Sequence, residues 1–472
     1  MISLTLVQAS SLILTVALIL FIGTRSAGNV KSAEGYSLNG RSAGAVLIAG
    51  SISGTIVGGA ATVGTAQMAA ALGLSAWWFT LGSGIALTIM AVFYANPLRS
   101  SGLETIPQYL TLHYGRGAGP LTSLVSSLGI LFSAVASALA GIHLIGTMFG
   151  VPPLAAAAII VVLVAAYVVF GGMRGAGVSG ILKMVTLALA LCVAGVGAVL
   201  SLRAMPDFEA TFPAFPWFSL WGRGVGESLG NLGALIVGVI CTQTYVQAIY
   251  SASDRKVAAV GTSLAALITI PVGLPSIAIG MYMHAAHPEL SPVLALPVYL
   301  VRYTPEWVGG IGLAGILLSV VGSIAGLALG IGTMVANDIG RGVFGLRDDR
   351  HILWLNRASV LAVTCLAMAI ALSALDSYVL DWNYMSMALR GAAVFLPLTL
   401  AIFWPRHLAP SWAVFSMAAS IAVAVGCRLA LPLPVNPLFT GLAASAAVIV
   451  AGLLLSATTG DADLDGSMQP RA

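Results

Sequence analysis

Apolar runs long enough to cross a bilayer recur along the whole of this 472-residue chain, and the gaps between them are too short for a water-soluble domain. Such a run needs about 20 residues, because a helix in hydrocarbon must satisfy its own backbone polar groups. Thirteen runs meet that measure: 4–23, 44–71, 74–98, 119–148, 153–170, 176–202, 228–252, 257–284, 309–337, 352–375, 382–404, 409–430 and 436–456. Turn punctuation separates them, as in "NPLRSSG", "FGVPP", "SASDRK", "DIGRG" and "WPRHLAP". Only 8% of residues are charged and mean hydropathy is +1.00, whereas an ordinary soluble domain carries about 25% charge. The expected fold is all-α and polytopic, with the lipid bilayer as its solvent.

The four cysteines, Cys192, Cys241, Cys365 and Cys427, lie in apolar runs without CxxC or Cys/His spacing, so neither a disulfide scaffold nor a zinc site is expected. Basic residues are scattered through short loops rather than gathered in a patch, which argues against a nucleic-acid partner. His143 and His284 have no carboxylate at helical spacing, and neither HExxH nor GxSxG occurs, so no enzyme is expected. His143 reads as a satisfied packing residue. The first run lacks a basic lead and is too long for a signal-peptide core, so it is expected to stay as a membrane helix. No obligate protein partner is evident, and the tail from Asp461, "DADLDGSMQPRA", is expected to be disordered.

Orientation follows from Lys and Arg on alternate loops. With the N-terminus outside, cytoplasmic loops receive Arg25, Lys31, Arg41, Arg99, Arg116, Arg174, Arg255, Lys256, Arg341, Arg347, Arg350, Arg357 and Arg406. Outside loops receive Arg203, Arg223, Arg302 and Arg428. That excess predicts an external N-terminus and a cytoplasmic C-terminus, in a cell membrane of bacterial inner-membrane type. Two cations fall inside spans: Lys183, in "RGAGVSGILKMVTL", and Arg390, in "MALRGAAVFLPL". A charge at that depth costs on the order of 3 kcal/mol and calls for a role.

The second run, "AGSISGTIVGGAATVG", places Gly50, Gly54, Gly58, Gly59 and Gly64 among Ser and Thr at mid-membrane. Small residues let helices pack closely; they also mark discontinuous helices, whose free carbonyls bind a cation or substrate at the midplane. Gly54 flanked by Ser51, Ser53 and Thr55 suits the second reading, because hydroxyls and carbonyls together form an oxygen cage. The ninth run offers Ser319 and Ser323, four apart and on one face, although such a pair also back-bonds to its own helix. Further substrate candidates are Ser51, Thr55 and Ile56 around the break, Ser75 and Trp78 at the start of the third run, Gln243 and Gln247 one turn apart, and Arg390. The glutamines could equally bridge helices, and Arg390 could hold helix-end carbonyls.

Five segments occur in register: "AEGYSLNGRSAG", "LETIPQYLTLHYG", "VVFGGMRGAGVSGILK", "CTQTYVQAIYSASDRKVA" and "SVVGSIAGLALGIGTMVANDI". Over roughly residues 1 to 405 the chain resembles the sodium/solute symporter family, whose members carry sugars, proline, pantothenate, sialic acid and monocarboxylates. The resemblance implies a leucine-transporter-like core of two inverted five-helix repeats with a discontinuous first core helix. The implied organisation is a leading helix and loop (1–43), first repeat (44–203), second repeat (204–405), two additional helices (406–458) and a tail (459–472). It also implies a sodium site at the carbonyls of Ala49, Ile52 and Ser319 and at the positions of Gly322 and Ser323. Gly322 has no side-chain oxygen, so one ligand is missing. Where relatives commonly carry a carboxylate and then a glutamine, this chain has Gly180 and Lys183; where a sugar carrier places a glutamine, it has Ile56.

Three readings of Lys183 stay open: it snorkels, it pairs with a substrate carboxylate, or its ammonium replaces the sodium ion, as in certain proton-driven amino-acid transporters of leucine-transporter fold. The third is favoured because the lysine is gained where ligands are lost. The expected function is uptake of a small organic metabolite, an organic acid or amino-acid-like solute, by alternating access, with coupling to protons or to no ion. The alternatives are an ordinary sodium-coupled symporter and a transporter-like sensor. No cofactor is expected beyond a sodium ion or proton as coupling ion.

Overall fold

The computed structural model describes residues 4–27, 32–168, 172–430 and 436–459, and the expected disordered tail lies almost wholly outside them. One helix, α1 (Leu6–Ala27), and a short helix, α2 (Ala33–Leu38), whose Tyr36, Ser37 and Leu38 are buried, precede the core. The first repeat opens with α3 (Ala45–Ile56) and α4 (Thr65–Leu72), two halves of one interrupted helix. It continues through α5 (Trp78–Ile89), α6 (Ala95–Ser100), α7 (Ile106–Tyr114), α8 (Ala118–Phe149), α9 (Pro153–Val168) and α10 (Gly172–Arg203). Short α11 (Phe208–Thr211) and α12 (Ala214–Trp217) lead to the second repeat. There α13 (Val225–Ile240) and α14 (Gln243–Tyr250) are again two halves of an interrupted helix, followed by α15 (Arg255–Ala286), α16 (Ala295–Arg302), α17 (Glu306–Met334), α18 (Asp349–Leu372) and α19 (Val379–Phe403). Helices α20 (Pro410–Ala430) and α21 (Pro437–Thr459) pair with each other and against α19.

Eleven described helices are long and apolar enough to cross a membrane, against thirteen expected runs. Run 44–71 divides, so Ala45–Ile56 stands as a shorter apolar helix and its second half joins the next run in the stretch Ala60–Ser100. The 153–170 run is also short as a helix. The seventh run, expected to be continuous over 228–252, breaks at Cys241 and Thr242. The connection 285–308 holds an unexpected apolar helix, α16, whose Leu296, Val298 and Leu300 are buried.

Helix α17 is the axle of the bundle. It packs against α1, α3, α8, α10 and α18, and its small residues and leucines are buried along its length. Lipid supplies no hydrophobic drive between helices, so contacts of this kind rest on close packing of small side chains. At the lysine- and arginine-rich end of the molecule the segment leading into α3 is tied by backbone to the second repeat: Ala43 N–H donates to Ser251 O (3.0 Å) and Ser253 N–H to Ala43 O (3.1 Å). Among the described residues this bridge is as near as the chain comes to a sheet.

Candidate cation and substrate site

The first break is built from glycine and a change of backbone direction. Val57 leaves the helical region (ψ 74°), Gly58 N–H donates to Ile56 O (2.9 Å), and a π-helical turn over Ala60–Gly64 leads into α4. In an uninterrupted helix the Gly58 N–H would serve the Gly54 carbonyl. Turned to Ile56, it leaves Gly54 O at a helix end whose dipole is negative.

Lys183 fills that vacancy in the hydrogen-bonding pattern. Its Nζ donates to Gly54 O and, at 3.4 Å, to Ser319 O on α17, and the side chain is 1% exposed. It reaches there because α10 lies against α3 glycine to glycine. A Cβ on Gly180 would collide with the Gly50 carbonyl, and one on Gly54 would come within 2.9 Å of Gly180 Cα. The ammonium is thus directed into the bundle, away from the interface that a snorkelling lysine would seek.

The neighbouring oxygens are engaged as well. Ser323 Oγ donates to Thr55 O (2.5 Å), an approach that the absent side chain of Gly58 permits. Thr55 Oγ1 donates to Ser51 O (2.9 Å), and Ser53 Oγ donates to Ala49 O (2.6 Å). The carbonyls that hold the lysine are therefore those of Gly54 and Ser319, rather than those of Ala49 and Ile52. The reason is reach: Lys183 stands one turn beyond Gly180, level with the end of α3. Ala49, Ile52 and Ile56 are buried on α3, and Gly322 is buried on α17 beside Ser323.

The other substrate candidates do not all gather at this break. Ser51 Oγ lies 3.5 Å from Met173 Sδ on α10. Ser75 Oγ donates to Leu72 O (3.0 Å) and Trp78 Nε1 to Leu220 O (2.7 Å), both at the far end of α4. Gln243 holds the chain before α7, accepting from Ile106 N–H (2.9 Å) and donating to Glu104 O (3.0 Å). Gln247 Nε2 donates to Ser37 O (2.7 Å) and Thr333 Oγ1 (3.1 Å). Arg390 is fully buried: Nε donates to Gly238 O (3.3 Å) and one terminal nitrogen to Ser386 Oγ (3.1 Å). His143 Nε2 meets Leu375 O at 2.9 Å.

A second break was not legible in the sequence. Thr242 is extended (φ −88°, ψ 113°) and its N–H goes to Val239 O (3.1 Å), while Thr244 Oγ1 donates to Gly326 O on α17 (3.2 Å). The only local signals are the hydroxyls of Thr242 and Thr244 four and six residues after Gly238. Aromatic pairs at Phe79–Tyr384 (6.1 Å) and Phe132–Trp382 (5.7 Å) were likewise unforeseen, since each joins segments distant in sequence. A surface pocket of about 460 Å³, lined by Arg99, Ser100, Asp254, Arg255 and Lys256, lies at the basic end and includes no break residue.

A profile of the Sodium:solute symporter family matches residues 36–418. The chain is 26% identical over 425 residues to the high-affinity choline transporter 1 of Torpedo marmorata, covering 83% of this chain and 72% of that protein. It is 23% identical to the sodium/proline symporter of Staphylococcus aureus, covering 89% and 85%. In fold it is similar to a substrate-bound, outward-open Na⁺-coupled sialic acid symporter, with TM-score 0.79, 17% identity and coverage of 95% and 97%. It is also similar to a nucleobase-cation-symport-1 family transporter, with TM-score 0.59, 14% identity and coverage of 89% and 94%. A symporter architecture with an interrupted helix opening each repeat, matched over more than three quarters of its length, leaves one assignment: the chain belongs to the sodium:solute symporter family.

Proposed function

We propose that this secondary symporter takes up a small organic acid or amino-acid-like solute, and that the Lys183 ammonium stands where relatives hold a coupling sodium ion. Uptake is then coupled to protons or to no ion. The observation that carries this reading is the ammonium seated on the Gly54 and Ser319 carbonyls at the break. A positive charge there shares the Ser319 carbonyl with the expected sodium site and meets Gly54 O in place of Ala49 O and Ile52 O. The residues fit a resident sodium ion poorly: of the expected ligands, Ala49 O accepts from Ser53 Oγ, Ser319 O from Lys183 Nζ, Ser323 Oγ is turned to Thr55 O, and Gly322 has no side-chain oxygen. Among the described residues, Lys183 is also the one group at the break that can gain or lose a proton.

Charge balance supports the solute class. Lys183 and Arg390 are compensated by carbonyl and hydroxyl dipoles rather than by carboxylates, so a solute bringing its own negative group relieves the interior. A quaternary-ammonium solute is the second reading, favoured by the likeness to choline transporters and by Phe79, Phe132, Trp382 and Tyr384, since aromatic faces attract such cations. The lysine- and arginine-rich end, by the charge rule, faces the cytoplasm.

Reconstituted vesicles test the whole reading. Uptake of labelled pyruvate or L-proline is expected to rise several-fold with an inward proton gradient and to be unchanged when sodium is replaced by potassium. Lys183→Gln is expected to flatten the pH profile. Steep dependence on sodium with a flat pH profile restores ordinary sodium symport, and uptake of choline in place of both probes overturns the solute class.

A further inference from the structure

Arg390 repeats, in the second half of the fold, what Lys183 does in the first. Lys183 lies on α10, the fifth helix of its repeat, and Arg390 lies on α19, the fifth helix of the other. Lys183 donates to Gly54 O, two residues before the last residue of α3, Ile56. Arg390 donates to Gly238 O, two residues before the last residue of α13, Ile240.

At both breaks the carbonyl has lost its backbone partner: the Gly58 N–H turns to Ile56 O, and the Thr242 N–H turns to Val239 O (3.1 Å). At the second break Thr242 Oγ1 also donates to Gly238 O (2.6 Å), so Arg390 shares that carbonyl with a hydroxyl. The third helix of the opposite repeat completes each site. Lys183 reaches Ser319 O on α17. Arg390 reaches Ser386 Oγ, which lies 2.7 Å from Ser133 Oγ on α8 and donates to Gly129 O of the same helix. The packing corresponds too: Gly54 faces Gly180 of α10, and Gly238 faces Met387 and Gly391 of α19 with no room for a Cβ. One spatial relation therefore recurs in two places that share no local sequence.

We propose that Arg390 is a positioning residue, a fixed cation that pins the second repeat's break, as the counterpart of Lys183 at the first. The correspondence rests on the reading of Lys183 given above, whereas the pinning of Gly238 stands on its own contacts. The two pins differ in chemistry. A guanidinium stays charged in proteins and binds through several donors at once, whereas an ammonium is a single point that can be neutralised. The break at Gly54 is thus the one that can be released, and the break at Gly238 stays made through the cycle. Arg390 then serves the second half of the bundle as a rigid body and takes no direct part in holding solute. Its titratable neighbours are Cys241 and Tyr245, both on the broken helix.

Cys241 is a native probe, because it sits in the second break with no exposed surface. Alkylation by N-ethylmaleimide in vesicles, followed by mass spectrometry, reports on it, with cysteines introduced at exposed Asp207 and Glu209, outside the spans, as internal references, since Cys192 and Cys365 lie within spanning helices. The wild type is expected to protect Cys241 at every pH. Arg390→Gln is expected to raise its alkylation roughly tenfold or more relative to the references, the effect of losing a charged hydrogen bond to a buried carbonyl. Arg390→Lys, which keeps the charge should the glutamine variant not fold, is expected to make Cys241 protection pH-dependent after the same normalisation. A Val57→Cys probe at the first break is expected to respond to pH in the wild type and to ignore both Arg390 variants. Protection of Cys241 in either folded variant, flat in pH, overturns the pinning role. A Val57→Cys probe that is flat in pH while Cys241 responds overturns the Lys183 reading and leaves Arg390's role intact.

Discussion

Gly180 carries more of this site than its lack of a side chain suggests. A Cβ at this position would run into the Gly50 carbonyl. Any side chain here and the close approach exclude each other, and the close approach is what brings Lys183 to the end of α3. Overpacking a tight contact costs about 1–3 kcal/mol. Gly180→Ala is expected to lower stability within that range, read as a reduced thermal midpoint of purified protein. Gly180→Asp is expected to lower it further, since an unpaired carboxylate is then buried as well. A Gly180→Ala protein as stable as the wild type would falsify the close packing. Lys183 was legible because charge is rare in spans and any instance asks for a partner. The partner was legible only to within a turn: which carbonyl is orphaned depends on where Val57 turns, and no single residue type announces that.

At the level of elements, three of the segments that carry the family resemblance meet at the basic end. Thr105 caps α7, accepting from Gln108 N–H (3.1 Å), and donates to Asp338 Oδ1 (2.9 Å) in the π-helical end of α17. Asn337 donates to the Glu104 carboxylate (2.7 Å), and Gln243 of α14 holds both Glu104 O and Ile106 N–H. Burial, the largest influence, holds the Glu104 carboxyl above its ordinary range, against the Asn337 hydrogen bond and the nearby Arg341. Gln243 therefore reads as a brace between repeats. Gln243→Leu leaves a backbone donor and acceptor without partners, at about 1–3 kcal/mol each. Amide hydrogen exchange over 103–110 is expected to quicken in that variant, and unchanged protection there removes the bracing role. The first break was legible from a cluster of glycines with hydroxyls. The second was not, because "GVICTQT" holds one glycine and the cation that pins it comes from α19, far along the chain.

For the whole molecule, alternating access requires that the two ends open one at a time, so the contacts at each end set the balance between states. The basic end is held by the brace at Gln243 and by the Ala43–Ser251 backbone pairing. The opposite end is held by Arg223, which lies before α13. It pairs with Asp381 at the start of α19 (2.8 Å) and with Glu227 (2.5 Å), and reaches Met68 Sδ on α4 (3.4 Å). One side chain thus joins α4, the second half of the first broken helix, to the first turns of α13 and α19. The carboxylates are roughly half exposed, and exposed pairs are worth only about 0.2–1 kcal/mol. Losing one should shift the population of open and closed forms a few-fold without unfolding the protein. Asp381→Asn is expected to lengthen and broaden the distance between spin labels at Gly226 and Tyr378, both exposed at that end. The exchange Arg223→Asp with Asp381→Arg is expected to restore the wild-type distribution in part, with Glu227 limiting the recovery. A distribution unchanged by Asp381→Asn means that the pair is a surface contact with no share in gating, and the closure of that end must then rest on helix packing alone.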